Sequence, residues 1–176
     1  NVTTEKEILN SHVWTRSAVS SPRAVLVGGT CFSQNDAELS AIGSELGLKS
    51  LIVIGLDKRE YRINHEFLPR IEELKEKLSS AEEVLPTAPP QNRESLEDRI
   101  SELKGEIEAR ENEIRFFKET MKKKNPEAKL TVYNGIFPGT TIMIADESYT
   151  VYEKIEGAVE ISLKEQNFKI EKVSQV

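Results

Sequence analysis

Apolar residues recur along this chain with two different periods, and the change from one to the other divides it. They fall at Leu96, Ile100, Leu103, Ile107, Ile114, Phe117 and Met121, in steps of four and three with only Arg110 polar in the series. That spacing draws one narrow apolar seam along a helix. Upstream, Leu68, Ile71, Leu74, Leu78, Ala81 and Leu85 draw a second, shorter seam. Between the two lies Pro86-Thr87-Ala88-Pro89-Pro90-Gln91, which no helix crosses. The pattern predicts an antiparallel helical hairpin, a coiled coil over 61–125. It is inserted between residues 1–60 and 126–176, which read as one discontinuous β domain.

The ends of the two helices follow from capping chemistry. Pro69 suits a first turn, so one helix runs from there to Leu85, about 17 residues or roughly 25 Å. The other, from about Arg93 to Lys124, would span about 32 residues and roughly 48 Å. Either residues 61–68 are also helical, with a kink at Pro69, or the base of the longer helix packs on the β domain; the first is the expectation. Asn92 is the expected N-cap, with Glu94, Glu97 and Asp98 at the positive end of the dipole. Lys122–Lys124 would complement the negative end and Asn125-Pro126 would stop the helix. Gly105 leaves room for close helix approach, at about 1 kcal/mol against Ala.

Outside the insert the runs are short. Val13-Trp14, Val25–Val27, Leu39 with Ala41-Ile42, and Leu51–Ile54 recur roughly every 12 residues, a strand spacing. Gly28, Gly29, Gly43 and Gly55 sit near run ends as structural turn glycines, and Gly135 and Gly139 do so after the insert. A helix over 36–47 competes with strand or turn there; strand or turn is the expectation. Downstream, Leu130–Tyr133, Thr141–Ile144, Tyr149–Tyr152, Val159–Leu163 and Phe168–Ile170 read as strands. Turns are expected at Asp146–Ser148, Glu156-Gly157 and Gln166-Asn167. Alternation in these last strands points to half-buried antiparallel pairing, whereas the runs before the insert suit stacked rungs. Phe137 and Ile142 are expected in the rungs.

Composition narrows the partners. Of the 176 residues, 38% are hydrophobic and 31% charged, with a net charge of −6. Residues 66–125 carry 12 Lys/Arg and 15 Asp/Glu, and the remainder carries the same numbers. Neither part is basic, which disfavours nucleic-acid binding, and mixed charge along the helices reads as solvated faces. Cys31 is the single cysteine, so no intrachain disulfide is available and a reducing, cytoplasmic setting fits. There is no apolar run of transmembrane length and no signal-peptide pattern, so no membrane insertion is expected. The glycosylation triplet Asn1-Val2-Thr3 reads as coincidence. The chain lacks an initiating Met and reads as a fragment of something longer.

Candidate chemistry is sparse. Val27-Gly28-Gly29-Thr30 has no Gly-Lys-Ser/Thr continuation, so a tight turn is expected in place of a phosphate loop. His12 reads as strand packing and His65 as a pair with Glu66 at the helix base, and neither as a metal ligand. Cys31 reads as a core residue, and Trp14 as an end cap of the β stack or a partner contact. Glu72-Glu73, Glu82-Glu83 and Glu106/Glu108 lie on a solvated helix and not in a pocket. Arg110 could snorkel, mark register or face a Glu on the partner helix. The seam could pair within one chain or between chains as a four-helix dimer; pairing within one chain is the expectation, because the Pro-rich turn closes cheaply.

Tyr133-Asn134-Gly135-Ile136-Phe137-Pro138-Gly139-Thr140-Thr141-Ile142-Met143-Ile144 is a strand, Gly, aromatic and Pro-Gly leading to alternating apolar residues. Together with Val25–Gly29, Ala41–Ser44 and Ser50–Gly55, it resembles the FapA (flagellar assembly protein A) family of bacterial proteins, over about Asn10 to Lys172. The resemblance implies a mainly β fold with an α insert: a right-handed parallel β-helix interrupted by the coiled-coil hairpin, with some antiparallel strands near the C-terminus. It implies no active site, cofactor or metal, and a link to flagellar assembly and cell-pole organisation. The expectation is a cytoplasmic, non-enzymatic scaffold presenting a coiled-coil arm to protein partners, with homo-oligomerisation through the coil as a further option. A β-helix enzyme of transferase or lyase type is the alternative.

Overall fold

The computed structural model describes residues 2–173, so Asn1 of the glycosylation triplet and Ser174–Val176 at the end of the β segment lie outside the described residues. The chain divides into two compact units: residues up to Lys58 with those from Lys122 onward, and Arg59–Met121 between them.

The first unit is β. Its strands are β1 (Glu7–Thr15), β2 (Val19–Ser33), β3 (Ala37–Ile42), β4 (Ser50–Ile54), β5 (Leu130–Ile136), β6 (Thr140–Ile144), β7 (Glu147–Thr150), β8 (Ile155–Glu156), β9 (Val159–Lys164) and β10 (Asn167–Lys172). Orientation is mixed. Pairing is parallel for β1–β2, β2–β3, β2–β4, β3–β5 and β4–β6. It is antiparallel for β6–β7, β5–β8, β5–β9 and β9–β10.

The 15-residue β2 explains how the layers stack. Its first part, Val19–Leu26, pairs with β3, and its last part, Gly29–Ser33, pairs with β4. The chain therefore bends within β2, at Gly28 and Gly29, which adopt φ of 68° and 71°. A Cβ on Gly29 would lie 2.3 Å from the carbonyl oxygen of Ser11 in β1, so only glycine fits this corner. These two glycines lie inside a strand, not at the end of one.

Register then lines up apolar side chains in columns across the layers. One column is Val19, Ala37, Leu130, Ile161. A second is Ile8, Leu26, Ile42, Ile136, Ile155. A third is Val13, Cys31, Ile52, Ile142, Tyr149. All three belong to one apolar core. Residues 36–47 hold strand β3 and a turn, not a helix.

Two of the expected hairpin turns sit one residue earlier than their sequence signal. The β6–β7 turn falls on Ala145-Asp146, with Ala145 at φ 52°. The β9–β10 turn falls on Glu165-Gln166, with φ of 51° and 65°. Both positions take a left-handed backbone without glycine, which removes the usual marker.

The second unit is helical: α1 (Lys58–Arg62), whose first residue still belongs to the β unit, a π turn (Ile63–Phe67), α2 (Leu68–Val84), a 3-10 turn (Leu85–Thr87) and α3 (Pro90–Thr120). Helix thus begins well before Pro69, and the irregularity ahead of that proline is a π turn. The Leu68 amide donates to the Ile63 carbonyl, five residues back. A widened turn relieves the clash between a proline ring and the carbonyl four residues before it. α3 starts at Pro90, so Asn92 is not its N-cap; the Asn92 amide donates to the Pro89 carbonyl at 2.9 Å. The helix ends at Thr120 because Met121 turns extended, with ψ 154°. Lys122–Lys124 therefore lie past its last residue, not within its last turn. The Lys122 amide donates to the Asp57 carboxylate at 3.2 Å, and Lys124 pairs with Asp146.

Candidate functional site

The interior of the helical unit is built from the spaced apolar residues. Ile63, Phe67, Ile71 and Leu74 from the first arm and Leu103, Ile107 and Ile114 from α3 form one buried cluster, with Leu78, Phe117 and Met121 packed partly buried against it. The arms run in opposite directions. Near one end Phe67 stacks on Phe117, ring centres 5.9 Å apart, and further along Arg70 pairs with Glu106 at 3.2 Å and Glu82 with Lys104 at 2.7 Å. Ile100 is buried, whereas Leu85 and Leu96, nearest the turn, are half-buried.

Sequence spacing misassigned the start of the shorter seam. Leu68 is 44% exposed, and its place is taken by Ile63 and Phe67. The 63, 67, 71 spacing was present in the sequence, but two successive steps of four drift around a regular helix. The π turn absorbs part of that drift.

Arg110 does not face a glutamate across the seam. It pairs with Glu113 on its own helix at 3.2 Å, and its guanidinium lies 5.6 Å from the centre of the Phe67 ring. Arg62 approaches the same ring at 4.7 Å while pairing with Glu66 at 2.9 Å. His65 stacks on Tyr61 at 4.4 Å and is not paired with Glu66. Gly105 faces open space and brings no helix closer.

The outside of the pair is charged. Lys75 meets Glu111 at 3.0 Å and Arg99 meets Glu102 at 3.0 Å. The hydrogen bonds from Lys77 and Arg70 hold the exposed Glu73 carboxyl below its usual range. At the turn, Val84, Ala88, Pro89, Leu96 and Arg99 line an open depression of about 770 Å³. Phe116, 61% exposed, is the large apolar side chain left out of the seam on α3.

In the β unit the titratable candidates His12 and Cys31 lie within the paired strands β1 and β2. Cys31 is fully buried in the third column, and burial pushes its thiol up from 9.0 to about 11, the opposite of what a nucleophile needs. His12 is hydrogen-bonded to Thr30, its cross-strand neighbour. Trp14 is 43% exposed beside Arg16 at 5.4 Å and Lys58 at 6.0 Å. An open groove of about 450 Å³ on the outer surface is lined by Val25, Val27, Ala41, Gly43, Phe137 and Lys154. Phe137 is half-buried in its wall, with the Lys154 ammonium 5.0 Å from the ring, so it is not a rung core residue; Ile142 is fully buried. Gly43, Gly55, Gly135 and Gly139 all take positive φ, though Gly135 lies within β5. Among the described residues there is no cluster of three His, Cys, Asp or Glu able to hold a metal, and no helix is long and apolar enough to cross a membrane.

Stacked strands in register around an aliphatic core, carrying a helical insertion between β4 and β5, define a mainly β protein of repeating layers. The sequence matches the family described as FapA, Flagellar Assembly Protein A beta solenoid domain, across residues 1–168. The chain belongs to the FapA family, and its β unit is a solenoid domain of that kind. No curated protein and no solved structure matches the chain.

Proposed function

We propose that this chain is a non-enzymatic scaffold of bacterial flagellar assembly or cell-pole organisation, acting in the cytoplasm. In this reading the β unit is a right-handed parallel β-helix platform, and the helical unit is an antiparallel coiled-coil arm that it presents to protein partners. The family description supports the flagellar setting.

The observation that carries the arm reading is the fate of the apolar seam. Ile71, Leu74, Leu103, Ile107 and Ile114 are consumed inside the helical pair, and the outward faces are ion-paired and solvated. A helical pair of this length, with α3 about 46 Å long at 1.5 Å per residue, supplies reach and recognition surface without enclosing a substrate. The raised thiol of Cys31 and the hydrogen bond of His12 to Thr30 leave neither side chain in a nucleophile–base pair.

The test is affinity capture from the native host's lysate with the intact chain and with a version in which 59–121 is replaced by a short Gly/Ser turn. Lys122 and Asp57 are already hydrogen-bonded, so a short turn closes that gap. Partners retained only by the intact chain support the arm as the binding element. Equal capture by both versions moves binding to the β platform and overturns the arm reading.

A further inference from the structure

Arg110 stands where the apolar series of α3 calls for another aliphatic side chain, between the buried Ile107 and Ile114. Its guanidinium caps the Phe67 ring from one side at 5.6 Å, and Arg62 covers the same ring at 4.7 Å. Each cation is neutralised on its own arm, Arg110 by Glu113 and Arg62 by Glu66. The Arg110 side chain remains 41% exposed, so it sits over the seam without being taken out of water.

Two helices accommodate this arrangement because the head group has an open side. Four do not. In a four-helix bundle made from two copies, seams converge on a common axis, and Arg110 would bring two charges into that axis. Burying a charge away from water is costly unless it is fully paired, and Glu113 supplies only one half-exposed partner. A single polar residue at a seam position sets oligomeric state in this manner, at some cost in stability.

We propose that Arg110, seated over Phe67, restricts the seam to two helices and keeps the helical unit from forming a four-helix bundle with a second copy of the chain. The device is independent of the identity of any partner. It would leave the charged outer faces of the pair free of a second copy.

Sedimentation velocity of the full chain tests it, comparing wild type, R110L and R110K over about 5–200 µM, a range in which mass action exposes weak self-association. Wild type and R110K are expected to stay monomeric. R110L is expected to form dimers as the major species at the upper concentrations, with undiminished helical circular dichroism. A wild-type dimer, a monomeric R110L or a dimeric R110K each overturns the proposal. Loss of helix in R110L overturns it too, since an apolar residue there should strengthen the pair.

Discussion

The amide of Asn125 donates to the carbonyl of Gly55 at 2.7 Å, although 69 residues separate them in the chain. The contact closes the helical insert at its base, where the chain leaves β4 and returns toward β5. Gly55 has φ 71°, and its own amide donates to the Ser33 carbonyl of the preceding layer at 3.0 Å. The insert thus replaces a corner of the stack: in the layer before, the three residues Gln34–Asp36 make the corresponding connection from β2 to β3.

Gly55→Ala should therefore be costly. A Cβ there would lie 2.1 Å from the Asn125 carbonyl oxygen, in a backbone region that side chains disfavour. A loss of about 1–3 kcal/mol is expected in urea unfolding followed by β-sheet circular dichroism. A change under about 0.5 kcal/mol would mean that the corner does not bear on the stability of the stack.

Ile107→Asp or Leu103→Asp places an unpaired carboxylate in the buried seam. Helical ellipticity at 222 nm should fall to the level left by removing 59–121, while the β unit keeps its cooperative transition. Unchanged helix content would show that the two arms do not depend on their shared core.

Ile142→Asp should collapse the β unit, because Ile142 is fully buried between Ile52 and Tyr149 in a core column. A penalty on the order of 4 kcal/mol or more is expected, enough to unfold a marginally stable domain. Phe137→Ser, five residues away in the chain, should cost far less, since that ring forms the wall of an open groove. Melting temperatures of the two variants separate the sites; equal losses would contradict the placement of Phe137.

Gly105→Ala offers the opposite sign. Gly105 lies in the interior of α3, and a Cβ added there would meet nothing within 4 Å, so the substitution adds helix propensity and no clash. A gain of about 0.8–1 kcal/mol for the helical transition is expected. A loss would show that this face of α3 is not open to solvent.

What was legible in the sequence was what depends on spacing over many residues. The seam from Ile100 to Phe117 keeps its steps of four and three because one face of α3 packs continuously against its neighbour, and alternation marks β9; β10 pairs antiparallel as expected but is not half-buried, since Ile170 is 37% exposed. Single-residue events were not legible. The π turn before Pro69 shifts the buried set to Ile63 and Phe67, and it leaves only two successive steps of four as a trace. Glu165-Gln166 turns left-handed without glycine, so the sequence marks its hairpin one residue late. The end of α3 is masked because Lys122–Lys124 look like a helix terminus, whereas Asp57, distant in sequence, captures the Lys122 amide. Arg110 over Phe67 was beyond reach for a related reason: the ring it needs was not in the predicted seam.

Cys31 provides a prediction with a definite sign. Burial raises its thiol from 9.0 to about 11, so the folded protein holds the proton more tightly than the unfolded chain. Its contribution is fully present below about pH 9 and is lost as pH rises toward about 11. Urea unfolding should therefore show stability falling across pH 9–11 in wild type, with a shallower fall in Cys31→Ala once the fixed cost of the smaller side chain is subtracted. In parallel, iodoacetamide at about pH 8, below the raised thiol value, should leave the native thiol unmodified and label it rapidly in urea. Rapid labelling of the native protein, or identical pH slopes in the two proteins, would show that the third column is open to solvent at Cys31.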